Sequence, residues 1–196
     1  MHHFYAYMSR LRYIRRWGLM RSALPENDAE HSLQVAMIAH GLALIARDKY
    51  GRAVEPEHVL ALAVYHDATE VITGDMPTPV KYHSPALRKA YGAIEDRAAD
   101  RLAAMLPEGL RPSLTPYFRH AEGLPGQLVR AADKISAYVK CLEEQRAGNP
   151  EFEAAGENIL RSIEAIDLPE VRDFMTEFVP SFSLTLDALN RPEGEA

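Results

Sequence analysis

Between Leu60 and Thr78 the chain reads LALAVYHDATEVITGDMPT, and no other stretch limits its folding so narrowly. The run from Val59 to Tyr65 is continuously apolar and reads as a core helix, yet His66, Asp67, Glu70 and Asp75 follow it closely. Ionised groups in an interior are costly unless they are paired or bound to a metal ion. On a helix continuing to Gly74, His66 and Glu70 stand one turn apart on the same face, and Asp67 and Glu70 are neighbours at i,i+3. Gly74 ends that helix, and the turn around Pro77, Thr78 and Pro79 holds Asp75 and Thr78 beside its end.

Helical patterning continues on both sides. Tyr5, Met8, Leu11, Ile14 and Trp17 recur at helical spacing, which predicts a first helix ending at Arg16 and Trp17. The segment Met1–Pro25 carries Arg10, Arg12, Arg15, Arg16 and Arg21 and no acidic residue, a local inversion in a chain of net charge -6. A second, largely buried helix is expected over Glu26–Tyr50, capped by Asn27 or Asp28, with His31 in its first turn and Leu33, Val35, Met37, Ile38 and Leu42 forming a wide apolar arc. A long helix from Ser84 to about Pro107 should bury Leu87, Ala90, Ile94, Ala98 and Leu102. After a Pro- and Gly-rich stretch with a short helix near Leu114–His120, another runs from Gly126 to Arg146 and places Asp133 among small and apolar neighbours. Two more follow between Phe152 and Leu189, broken at Pro169 and Pro180. No segment alternates as a strand does, so the expected fold is all-α, one helical bundle over 1–189 with a polar tail at 190–196.

Composition limits the partners. Twenty-two basic against 28 acidic residues argue against stable nucleic-acid binding through global charge. The single Cys141 excludes an internal disulfide and fits a reducing compartment, where it serves as a small buried hydrophobe. No signal peptide or membrane span is legible, so a cytoplasmic protein is expected.

His31, His66, Asp67 and Asp133 supply two imidazoles and two carboxylates from three separated segments. That mixed nitrogen and oxygen set suits a borderline divalent ion better than calcium or a thiolate zinc site. Such an ion acidifies water and polarises a phosphoryl oxygen, which implies hydrolysis. The competing reading of these four residues is a buried salt-bridge network. Arg16 has the side chain best shaped for a phosphate, and Trp17 beside it could pack on a sugar or base. A solvated basic face with Trp17 as a core anchor is the alternative. His40, His58, His83 and His120 read as ordinary core or surface histidines, and Met37 and Met76 as packing residues.

The blocks RRWGLMR, EHSLQVAMIAH, YHDATEVITGDMPTPVKY and ADKISAYVKCLEE, with their His, His-Asp and Asp in that order, resemble the HD-domain phosphohydrolases, and within them the bacterial 5'-deoxynucleotidases. The resemblance runs from the first helix to about Leu189. It implies one divalent ion held by His31, His66, Asp67 and Asp133, with cobalt or manganese ahead of zinc, copper or iron. Arg16, Glu70 and Asp75 take the catalytic roles. Arg16, Trp17, His31, Asp75, Met76, Pro77, Thr78 and Asp133 contact a deoxyribonucleoside 5'-monophosphate, which is hydrolysed to deoxyribonucleoside and phosphate by a homodimer. The alternatives are an HD hydrolase of nucleoside triphosphates or cyclic dinucleotides, or a non-catalytic nucleic-acid-binding regulator.

Overall fold

The computed structural model describes residues 1–81 and 83–191, with the backbone alone at Thr78. Its central helix starts at Asn27, whose side chain accepts from the amides of Ala29 and Glu30, both at 3.1 Å, and so caps α2 (Asp28–Asp48). Against α2 pack α3 (Pro56–Val64), opened by Pro56 at its first position, and α8 (Gly123–Arg146). Val35, Ala39, Leu42, Val59, Ala63, Leu128, Ala132, Ile135 and Val139 interlock there, and α10 (Pro169–Glu177) adds Val171 and Phe174. A second, smaller cluster gathers Phe4, Ala68, Ala99, Leu102, Leu106 and Phe118. Its members come from α1 (Phe4–Met8), from the stretch after α3, from α6 (Pro85–Ala104) and from the 3-10 turn Thr115–Phe118. Among the described residues there is no strand, only an isolated antiparallel bridge between Arg15 and Asn27.

Several expected helices differ in extent. The N-terminal one stops at Met8 and is followed by a 3-10 turn, Leu11–Tyr13, so Arg16 and Trp17 lie in a loop rather than at a helix end. The helix through the His-Asp pair is interrupted. α3 ends at Val64, tight turns carry residues 65–69, and α4 is only Glu70–Thr73. The break falls between Ala63 of the large cluster and Ala68 of the small one, since a straight helix could not serve both. Gly74, at φ 72°, then ends α4 as anticipated, and α5 (Thr78–Lys81) is a single turn.

On α2, Leu33 and Met37 stand in solvent, 62% and 60% exposed, because α3 and α8 cover only the opposite arc. On α6, Ser84 caps as expected, but Ile94 and Ala90 face outward while Tyr91 and Ala99 are buried. The short segments α7 (Arg111–Leu114) and Thr115–Phe118 replace the one helix expected there. α8 begins three residues early, at Gly123. Downstream lie α9 (Glu153–Glu164), α10, a 3-10 turn Val179–Ser183 and α11 (Leu186–Leu189), so the two expected helices separate before Pro169, which opens the second, and the second ends before Pro180. Of the expected polar tail, residues 192–196 lie outside the described residues.

The loop after Trp17 is lashed to α8 by a buried polar group. Glu144, wholly buried, accepts from the amides of Ala23 (2.7 Å) and Leu24 (2.9 Å), from Asn149 Nδ2 (2.8 Å) and from Lys140 Nζ. Lys140 also donates to the Leu24 carbonyl, and Asn149 Nδ2 to that of Arg21 at 2.7 Å. Burial opposes ionisation of Glu144, but Lys140, Asn149 and the two amides outweigh it and hold its pKa at about 2, below the ordinary 4.5. A carboxylate whose pKa falls on folding stabilises the fold fully above its unfolded value; that contribution is lost as pH drops from about 4.5 through about 2. Glu144→Gln should therefore lower Tm near pH 7 by roughly 3–12 °C, taking about 1.5–3 kcal/mol for bonds to a charged group and about 2–4 °C per kcal/mol at this size. The gap from wild type should narrow in thermal melts taken below pH 4.5.

Candidate metal and phosphate site

The helix break that joins the two clusters also sets the site. Because the chain tightens after Val64, His66 Nδ1 reaches the Ala63 carbonyl at 2.7 Å. A carbonyl can only accept, so Nδ1 carries the proton and Nε2 is the outward nitrogen. His31, wholly buried in the first turn of α2, is arranged in the same way by different means. Ser136 of α8 spends its hydroxyl hydrogen on Gln34 Oε1 at 2.6 Å, which leaves its oxygen to accept from His31 Nδ1 at 3.2 Å.

Both Nε2 atoms then face carboxylates. His31 Nε2 lies 3.1 Å from Asp133 Oδ1 and 3.6 Å from Asp67 Oδ2, and His66 Nε2 lies 3.1 Å from the same Asp67 oxygen. One ligand atom from each of His31, His66 and Asp133 falls within 4.8 Å of the others. Neither Nε2, though buried, has an aligned hydrogen-bond partner. Imidazole nitrogens and carboxylate oxygens thus converge on one point, and this donor set fits a divalent cation. Where no cation stands, the carboxylates favour a proton on the ring. Burial alone would lower the His66 pKa, but the Asp67 carboxylate lifts it to about 9. Against burial, His66, His31 and Arg16 hold Asp67 below the usual carboxylate range, and His31 and His66 do the same for Asp133.

Arg16 meets this cluster from the N-terminal loop. Its backbone amide donates to the Glu26 carbonyl at 3.1 Å, and Asp28 N donates to the Ile14 carbonyl at 3.2 Å, fixing the crossing beside the Arg15–Asn27 bridge. From there Nη1 donates to Asp67 Oδ2 at 3.3 Å, Nε lies 3.3 Å from Glu26, and Asp28 is 3.8 Å away. Burial works against the charge of the guanidinium, but Asp67, Asp133, Glu26 and Asp75 raise its pKa. Trp17, its neighbour, donates from Nε1 to Glu26 at 3.0 Å and packs on Phe152 with ring centroids 5.2 Å apart, so it is a partly exposed anchor.

Glu70 and Asp75 flank the same charges. Burial raises the Glu70 pKa strongly, reinforced by Asp67, Asp28 and Asp75; burial also raises that of Asp75, with Arg16 opposing. Met76 and Pro77 are half-buried in the turn before α5, and the Thr78 side chain lies outside the described residues. Cys141 is buried as expected, and burial pushes its thiol up to about 12.

Three features escaped the sequence reading. Asp28 is wholly buried with neither carboxylate oxygen hydrogen-bonded, and burial raises its pKa; in the sequence it is one of two cap candidates. Ser136 shows no signal, because only the packing of α8 on α2 brings it to His31. The third is a cleft of about 410 Å³ that opens from His66, Asp67 and Asp133 between α6 and α8, with Arg88, Arg119 and Arg130 on its walls. Its size suits a small ligand, and its basic residues share the walls with acidic Glu95 and Asp96.

A helical fold that focuses His, His-Asp and Asp on one cation site is that of the HD-domain phosphohydrolases. Solved structures agree: an HD-domain phosphohydrolase from Listeria innocua superposes with TM-score 0.79 at 24% identity, covering 91% of this chain and 87% of that one. A cyanophage S-2L HD phosphohydrolase, solved with dA and one catalytic Zn2+, gives TM-score 0.62 at 23% identity over 92% of this chain and 96% of that one. The chain belongs to the 5'-deoxynucleotidase YfbR-like family, whose model matches residues 3–182. Its relatives include a 5'-deoxynucleotidase of Vibrio parahaemolyticus, 46% identical over 192 residues (96% of this chain, 98% of that one), and the 5'-deoxynucleotidase YfbR of Shigella boydii, 49% identical over 191 residues (96% of each).

Since the Ser136 hydroxyl selects the His31 tautomer, Ser136→Ala should weaken divalent-ion binding about 10–100-fold, the range seen on losing such outer partners. Isothermal titration of the ion-stripped protein with Mn2+ or Co2+ checks this, with helical content unchanged by circular dichroism.

Proposed function

We propose that the chain is a metal-dependent 5'-deoxynucleotidase, a phosphomonoesterase that converts deoxyribonucleoside 5'-monophosphates to deoxyribonucleosides and phosphate. The observation that carries the reading is the meeting of two outward Nε2 atoms, Asp67 and Asp133 within reach of Arg16, in a chain 46% identical over nearly its whole length to a 5'-deoxynucleotidase.

His31, His66, Asp67 and Asp133 would hold the ion. When bound, a divalent ion there supplies Lewis acidity toward a phosphoryl oxygen and makes water a better nucleophile. Arg16 offers charge-assisted hydrogen bonds to the remaining phosphate oxygens and neutralises charge that builds in the transition state. Water adds to phosphorus as the bond to the 5' oxygen breaks. Glu70 and Asp75, in which burial favours the neutral form, would manage the protons, one passed to the leaving 5' oxygen and one taken from the attacking water. Trp17 with the turn Asp75, Met76, Pro77 and Thr78 would form the nucleoside side of the pocket and leave no room for a 2'-hydroxyl.

Cobalt or manganese is the working ion in this reading, and residues 1–189 form one HD domain. Exposed Phe178, Leu184 and Leu186, with Leu33 and Met37, offer apolar surface for a second copy, which supports a homodimer. The lone Cys141 thiol fits the cytoplasm. Among the described residues no helix is long and apolar enough to cross a membrane.

Phosphate release should be seen from dAMP, dGMP, dCMP and dTMP and not from AMP, in ion-stripped protein resupplied with single divalent ions. Pyrophosphate or triphosphate release from dATP would overturn the monophosphate reading. Asp67→Ala should lose both ion and turnover. Arg16→Ala should keep the ion and lose about 10²–10³ in kcat, the cost of removing one transition-state donor.

A further inference from the structure

The loop that presents Arg16 is built at odds with local preference. Trp17 has φ 58°, the only non-glycine with positive φ among the described residues. A bulky side chain gains nothing from the left-handed region and is held there only when its surroundings dictate it. One surrounding constraint is the crossing at Arg15 and Asn27, which fixes the chain before Trp17. The other must act after it. There Met20 N returns to the Trp17 carbonyl at 2.8 Å, and residues 21–24 run directly onto the buried trio Lys140, Glu144 and Asn149.

We infer that Glu144 is a positioning residue for the phosphate-binding arginine: by clamping residues 21–24 it keeps the Trp17 turn closed, and the turn in turn holds the Arg16 guanidinium against Asp67. Three observations converge on this. The clamp is complete, since the amides of Ala23 and Leu24 and the carbonyls of Arg21 and Leu24 all find partners on Lys140, Glu144 or Asn149. It is ionic and fully buried, an expensive way to attach a surface loop if attachment were its whole purpose. It also stands on the helix that carries Asp133 and Ser136, about three turns further along α8, so a single rigid rod sets both a cation ligand and the far anchor of the arginine loop. Phe152 completes the seat. Its ring lies under Trp17 and within 5.7 Å of Lys140 Nζ, so the anchor of the indole touches the clamp itself.

The kinetic half of this inference rests on the nucleotidase reading, whereas the structural half does not. Trp17 is the only tryptophan in the chain, so its fluorescence reports on this turn alone. In the full chain loaded with Mn2+, Glu144→Gln and Asn149→Ala should each raise acrylamide quenching of Trp17 by about twofold or more. kcat for dAMP should fall about tenfold with KM within about threefold, as expected when a transition-state donor is misplaced and the cation site is intact. Ion stoichiometry and far-UV circular dichroism should match wild type. Unchanged quenching in a folded variant overturns the inference whatever the substrate proves to be. Increased quenching with unchanged kcat also overturns it, by showing that the clamp holds the loop without positioning Arg16. Loss of helix and ion together in both variants would mark the trio as mere fold support and overturn it as well.

Discussion

Negative charge gathered in a nearly dry place is the constraint on which the rest of this molecule depends. Asp28, Asp67, Glu70, Asp75 and Asp133 approach one another closely enough to shift each other's ionisation, and left alone they would repel. The protein answers with three kinds of compensation. Arg16 supplies a permanent positive charge held by several carboxylates at once, and burial keeps Glu70 and Asp28 toward their neutral forms. The remaining pair, Asp67 and Asp133, faces the Nε2 atoms of two imidazoles, which carry the compensating charge as bound protons or hold it as a shared cation. The Nδ1 positions are committed elsewhere, to Ala63 and Ser136, which leaves each Nε2 facing the carboxylates, an arrangement that fits a divalent cation.

The helical frame follows from that requirement. α2 supplies His31, the broken segment after α3 supplies His66 and Asp67, and α8 supplies Asp133, and these three segments enclose the larger apolar cluster. Breaking the helix at residues 65–69 costs backbone hydrogen bonds of the regular kind, yet it gives His66 its carbonyl partner and turns Ala68 into the second cluster. α8 has the widest influence, because its successive turns touch the cleft at Gly126 and Arg130, the candidate cation site at Asp133 and Ser136, and the arginine loop at Lys140 and Glu144.

Much of this is visible in the chain read residue by residue. Apolar periodicity alone establishes an all-helical protein, Asn27 and Ser84 announce their helices, and Gly74 ends α4 where its backbone freedom predicts. His31, His66, Asp67 and Asp133 are conspicuous because each interrupts an apolar setting where a charge must be compensated. Periodicity fails where a helix is covered on one side only. Leu33 and Met37 obey the pattern but meet no neighbour, and Ile94 lies on the face of α6 that the small cluster does not reach. The continuous helix expected through His66 fails for a related reason, since helix propensity is local and the demand for two differently oriented clusters is not.

What the sequence by itself determined is therefore the class of fold, the chemical identity of the candidate cation-binding groups and the presence of an arginine beside a tryptophan, because each depends on residue type and near spacing. What only the tertiary structure decided is which atoms of those groups face one another. The Nδ1 partners of the two histidines, the burial of Asp28, the left-handed backbone of Trp17 and the Glu144 clamp all depend on contacts between residues far apart in the chain. Hydrogen-bond direction and burial are set by distances of a few ångströms between separate helices, and no local pattern carries that information.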